Sequence, residues 1–473
     1  MVVVGAVVLV VTLPGRAALL GLVVVAVVGQ LAPWKFDPGR AVPTVSQVWV
    51  RARAQIADRR HRPDGDPAAR RAARRRALPC VVAGCLWSVL LVPVFWRVAN
   101  GPITGFEFSD WHEHLRLVPR FELWPPVVPI SHFMFELHTR LLVEATSLPL
   151  ETAGVVVATV AAGFTGATLT WFLQRPWGDR QHERPGPWLA AGCSVAFVLS
   201  ELPQFLFFGR TALRDDLLNA SIHQWNTPST VTAESLQILV FVGTATALTR
   251  RRSTDRTARW LPGLLVLAMV AKPSVPLVIA AAVLPWLWRR SAPRWAWSRS
   301  LVAVVLPVVA TAMVQLYIGS VWWEPEESAS LALQLGGAFR SLDPWGPGLA
   351  AFVLPVLSLL TGGRELTRHP ETRLAAWCLV AGLVATATVV ETGLRADDGN
   401  VARTAFAGYW LLYLCLLRWA LELWRRRREW PSWSVTRRVG GALTGAYLVL
   451  CMASGTGLYL EEVGAITFTG ARG

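Results

Sequence analysis

At 473 residues, with 53% hydrophobic and 16% charged side chains and a mean hydropathy of +0.41, the chain is too apolar for a soluble globule, and it repeats uncharged runs of about 17 to 22 residues. The formal charge of +15 does not indicate nucleic-acid binding, because the arginines are bunched in short loops between apolar runs, as the positive-inside pattern requires. Cys80, Cys85, Cys193, Cys378, Cys415 and Cys451 fall in or beside apolar runs without metal-ligand spacing, which argues against a disulfide framework and a zinc site.

Met1 to Leu13 lacks the charged leader of a signal peptide; Pro14-Gly15-Arg16 reads as a tight turn, and a second apolar run extends from Ala17 to about Ala32. Residues 1–34 are therefore expected to form a helical hairpin with both ends cytoplasmic. Residues 35–77 form a basic segment, densest in arginine from Arg51 to Arg76, and the apolar run Leu78 to Phe95 follows. Positive charge so close to a span places that side inside, so the loop 98–149 is a large outer loop. Within it, 129–148 carries Arg140 and Glu144 among leucines. A full span there would break the alternation, so an amphipathic helix on the outer surface is expected.

Glu151 to Leu173 returns to a basic loop, Trp188 to Phe208 goes out, and Ala233 to Leu248 comes back to Arg250-Arg251-Arg252. The stretch 260–288 is interrupted by Lys272-Pro273-Ser274. At about 1.5 Å per residue each half is about 20 Å long, short of a hydrocarbon layer of roughly 30 Å, so two short helices meeting at an outward polar vertex are expected. Leu301 to Ile318, Leu349 to Leu360, Leu374 to Val390, Ala405 to Leu417 and Gly440 to Leu458 then alternate. The expectation is an all-α polytopic membrane protein of about 11 spans, or about 13 with the hairpin, with arginine inside and most clustered carboxylates and histidines outside.

Phe108-Ser109-Asp110-Trp111-His112-Glu113-His114 leaves the first of these spans. A carboxylate followed by two histidines is costly at a membrane boundary, and a partly desolvated Asp110 suits a general base. The plainer reading is an aspartate capping the helix that starts at Trp111. His112 and His114 would bind a divalent cation such as Mg or Mn together with Asp110, although residues at i and i+2 do not share a helical face. His132, Glu136 and Arg140 share one face of the amphipathic helix, pointing into a site or simply to water. His223, Trp225 and Asn226, in His223-Gln224-Trp225-Asn226-Thr227-Pro228-Ser229-Thr230, read as substrate contacts before a capped helix start. Lys272, with Ser274 beside it, reads as a phosphate binder, the alternative being a snorkelling lysine. Arg395 would assist it, or pair within the loop that also holds Asn400.

The ordered series of Asp110-Trp111-His112-Glu113-His114, the 129–138 helix, the 223–230 segment, Ala271-Lys272-Pro273-Ser274 and the 391–400 loop resembles bacterial polytopic membrane proteins of the GT-C glycosyltransferase type. The resemblance spans Leu78 to about Leu460 and places the GT-C-like domain at 78–473. It implies an inverting transferase with a catalytic carboxylate in its first outer loop, here Asp110. It also implies a polyprenyl-phosphate sugar donor, with Lys272 and Arg395 against the phosphate, an outer-face acceptor, and a location in the bacterial plasma membrane. Asp110 has no second acidic residue directly beside it, a departure that leaves metal use open. A transporter or flippase for lipid-linked saccharides, and a non-catalytic envelope assembly protein on the same fold, are the competing expectations.

Overall fold

The computed structural model describes residues 67–100, 110–120, 122–123, 126–127, 133–177, 186–201, 227–249, 260–322, 330–333, 347–392 and 402–463. The expected hairpin over 1–34, and the basic segment up to residue 66, lie outside the described residues.

In lipid each backbone N–H and C=O must be satisfied within its own segment, so the apolar runs become helices. In chain order these are α1 (Pro67–Asn100), α2 (Asp110–Leu117), α3 (Met134–Thr146), α4 (Leu150–Leu173), α5 (Pro187–Val198), α6 (Pro228–Thr249), α7 (Leu261–Ala271) and α8 (Ser274–Arg289). Then come α9 (Arg294–Ser300), α10 (Leu306–Trp322), α11 (Pro347–Arg368), α12 (Pro370–Thr388), α13 (Ala402–Arg425) and α14 (Val435–Glu462). Helix α9 runs into α10 through a π-helical turn at Leu301–Val305. Among the described residues, α1, α4, α6, the joined α9 and α10, α13 and α14 supply six helices long and apolar enough to cross a membrane. Helices α5, α7 and α8 are shorter and apolar. Large apolar side chains stand exposed along α1, α4, α10 and α14, among them Val89, Phe164, Leu316 and Val449, which is the surface lipid covers. The protein is a helical, multi-pass membrane protein.

Several boundaries differ from expectation. The run expected to 208 leaves the helix after Val198, and its part beyond Glu201 lies outside the described residues. The run expected to Val390 stops at Thr388, where the β-branched Val389 and Val390 open a strand. That strand, β4 (Val389–Thr392), pairs antiparallel with β3 (Ser330–Leu333). A second small ribbon joins β1 (Glu122–Leu123) and β2 (Pro126–Val127), so the all-helical expectation gains two ribbons. The interruption at Lys272-Pro273-Ser274 falls where expected, between α7 and α8. The amphipathic segment condenses to the 13 residues of α3, about 20 Å and too short to span.

Helices α1 and α4 cross so closely that a Cβ on Gly84 would sit 2.6 Å from the Gly163 carbonyl oxygen. Helix α6 is the enclosed centre of the bundle, with 83% of its apolar window buried. It nevertheless buries Ser229, Thr232, Glu234, Gln237, Thr244 and Thr246.

Candidate functional site

Contacts between helix ends divide the polar residues into two groups at opposite ends of the bundle. At one end α2 and α3 meet the first turn of α6 and the last of α7. Trp111 is fully buried in α2 between Phe95 and Phe135, with both ring centroids at 5.5 Å. This aromatic anchor seats α2 over the start of α4, where Gly154 leaves room for Leu115 and Phe135. One turn along α2, His114 is buried and its Nδ1 meets Glu136 Oε1 on α3. A carboxylate only accepts, so the imidazole donates from Nδ1, and its Nε2 is then the basic nitrogen. Glu136 is 0% exposed, and its Oε2 has no hydrogen-bond partner among the described residues. Thr139 Oγ1, one helical turn away, and His112 Nδ1 are likewise buried without a partner among them.

Leu117 and Phe133 continue this surface and pack with Leu137 and Val270. Val270 lies two residues before Lys272, so the vertex of the broken pair abuts α2 and α3. Lys272 is 6% exposed and donates from Nζ to Ser229 Oγ at 3.2 Å. Ser229 is held in the first turn of α6, where the Thr232 hydroxyl donates back to the Pro228 and Ser229 carbonyls. Gln315 Nε2 fixes the approach to the vertex by donating to the Met269 carbonyl at 2.8 Å.

Of the residues singled out from sequence, the structure brings together His114 and Glu136, and places Lys272 near them through Val270. His112 is half-buried on the same helix. Ser274 opens α8 half-buried, and no hydrogen bond ties its side chain to the others among the described residues. The helical start at Asp110 puts its backbone at the N-terminus of α2, where a carboxylate is favoured by the helix dipole. The Asp110 side chain lies outside the described residues, as do His132, His223, Trp225, Asn226, Arg395 and Asn400. The shared face expected for Glu136 and Arg140 divides, because Glu136 turns to His114 while Arg140 turns along α3 to Glu144 at 2.8 Å. Among the described residues no three His, Cys, Asp or Glu side chains gather as a metal-binding group.

At the opposite end the arginines collect, but they are not alone. Arg418 meets Glu371 and the Pro176 carbonyl, and Arg175 approaches Glu371 at 3.8 Å. His369 stacks on Trp177 with centroids 4.0 Å apart. Burial holds the His369 imidazole down to about 4, Arg418 and Arg175 acting in the same direction and Glu371 against them. Arg426 forks onto Glu365 at 2.7 and 3.1 Å and reaches Glu422 at 2.6 Å, which also takes Arg425. Arg175 and Arg299 reach Thr246 and the Ala247 carbonyl at the far end of α6. Within this mostly arginine end Glu365, Glu371 and Glu422 are matched to guanidinium groups, carboxylates not singled out from the sequence. Sequence reading missed them because Arg418 and Glu422 interrupt what looks like the tail of an apolar run. The i, i+4 spacing of Glu422 and Arg426, which do pair, was the available signal.

No family model, curated protein or solved structure matches the chain.

Proposed function

We propose that the protein is a membrane glycosyltransferase of the GT-C type, moving a sugar from a polyprenyl-phosphate donor to an outer-face acceptor with inversion. On this reading it sits in a bacterial plasma membrane with the imidazole end outside. The observation that carries the proposal is a buried imidazole on the helix headed by Asp110, paired with a carboxylate of α3, at the same end of the bundle as a buried lysine at the vertex of two short helices. Acid–base groups beside a desolvated cation are what phosphate departure from a sugar requires.

In the proposed reaction Asp110 takes the proton of the acceptor hydroxyl. The acceptor oxygen bonds to the anomeric carbon from the face opposite the phosphate, and the carbon–oxygen bond to phosphate breaks with its electron pair. Lys272 compensates the charge of the departing polyprenyl phosphate, with Arg395 assigned to the same task. Glu136 orients His114, and His112, His132, His223, Trp225 and Asn226 contact the sugar or acceptor. The Asp110→Asn protein is expected to fold as wild type and to lose transfer of radiolabelled sugar from lipid phosphate by about a hundredfold or more. Transfer at the wild-type rate would remove Asp110 from this role.

One observation favours a second reading. Helix α6 buries polar side chains along its whole length, from Ser229 and Glu234 to Thr244 and Thr246, as the path of a flippase for lipid-linked saccharides would. Movement of such a lipid across proteoliposome membranes without sugar transfer would establish that reading in place of the enzyme.

A further inference from the structure

Some arginines of the basic end have carboxylate partners and others do not. Arg175, Arg418, Arg425, Arg426 and Arg437 have carboxylate partners. Arg289, Arg290, Arg294 and Arg373 have none among the described residues, although Arg290 and Arg373 come from neighbouring helices. Helix α8 packs along α12, ends at Arg289, and is capped by Arg290, whose guanidinium lies 4.8 Å over the ring of the buried Trp286. The chain then turns through Ser291, with φ of 48°, to the exposed Arg294 at the start of α9. Arg373 stands in the second turn of α12, its N–H bonded to the His369 carbonyl. The Arg290 guanidinium is held below its ordinary range, by burial first and then by the charge of Arg373. The packing of α8 on α12 brings the end of one helix and the start of the other to the same end of the bundle, and an anion there would relieve the repulsion between the two guanidinium groups. Trp288 is 80% exposed beside them, as an indole at a lipid–water boundary would be.

We propose that Arg290 and Arg373, flanked by Arg289, Arg294 and the Trp288 ring, form a binding site for the phosphate of an anionic glycerophospholipid in the adjoining leaflet. The phosphate oxygens lie between the two guanidinium groups, which suit forked hydrogen bonds, and the acyl chains run along the lipid-facing side of α8, where Leu277 and Leu284 are exposed. A headgroup is favoured over a soluble anion because the arginines adjoin exposed apolar side chains of the same helix. The site is independent of the reaction at the other end.

Purified full-length protein in neutral detergent would be titrated with phosphatidylglycerol and with phosphatidylcholine, and bound lipid counted by native mass spectrometry. Selective retention of phosphatidylglycerol is expected, weakened about fivefold by either Arg290→Gln or Arg373→Gln and about 25-fold by both. Arg438→Gln, at a half-buried arginine outside the cluster, should leave binding unchanged. Equal retention of both lipids by the wild-type protein would overturn the proposal without recourse to any variant. So would an equal loss from Arg438→Gln, an unchanged double variant, or displacement of the lipid by millimolar inorganic phosphate.

Discussion

The two ends of the bundle bury the same kinds of groups and treat them differently. At the arginine end Glu371 and Glu422 each face two guanidinium groups, and Glu365 takes a fork from Arg426. At the imidazole end Glu136 spends one oxygen on His114 and leaves the other without a partner among the described residues, while Lys272 lies against a hydroxyl. Removing a partner from a buried ion-pair network is costly. A buried carboxylate left with a spare oxygen weakens the fold and is worth keeping where chemistry needs it. On the proposed function, fastening falls to one end and chemistry to the other.

Four substitutions break or sharpen this contrast. The largest stability effect is expected at the arginine end, where Glu371→Gln leaves Arg418 buried without its counter-charge and should cost about 3–5 kcal/mol, read from thermal unfolding in detergent. Next comes the pH dependence of His369, whose imidazole falls from 6.5 to about 4 on folding. Because the folded value is depressed, its contribution is fully present above pH 6.5 and is lost as pH falls towards about 4. The loss is on the order of 3 kcal/mol, and His369→Phe should flatten that limb of the stability profile.

Glu136→Gln should cost less than about 1 kcal/mol, since the amide oxygen can still accept from His114 and no fixed counter-charge is stranded. A loss equal to that of Glu371→Gln would erase the distinction between the ends. The smallest effect belongs to Arg140→Ala, which removes a half-exposed i, i+4 pair with Glu144 and should change stability by at most about 0.5 kcal/mol.

Much of the scaffold was legible in the sequence because lipid leaves a helix few alternatives. Glu151 to Leu173 reads directly as α4, and a lysine followed by Pro273 inside an apolar stretch has to break it, as it does between α7 and α8. The arginine loops marked one end for the same reason. The His114–Glu136 pair was harder, because the two residues stand on separate helices and meet only once Trp111 has docked against Phe135. Sequence spacing instead grouped Glu136 with Arg140. Arg418 and Glu371 were missed because the residues that meet there come from three different segments of chain, and an isolated charge near the end of an apolar run looks like its boundary. The contact between Lys272 and Ser229 joined a lysine recognised for its position to a serine read only as part of a helix start.

The most direct test of the division between the two ends is sugar transfer from a polyprenyl-phosphate donor in proteoliposomes, comparing Lys272→Met with Arg437→Gln, a substitution at the arginine end. The account predicts that Lys272→Met lowers transfer by about a hundredfold or more, as loss of a phosphate-compensating charge does, while Arg437→Gln stays within about twofold of wild type because it touches a half-buried pair with Glu365 at the other end of the bundle. Transfer by Lys272→Met at the wild-type rate, or a larger loss from Arg437→Gln, would contradict it.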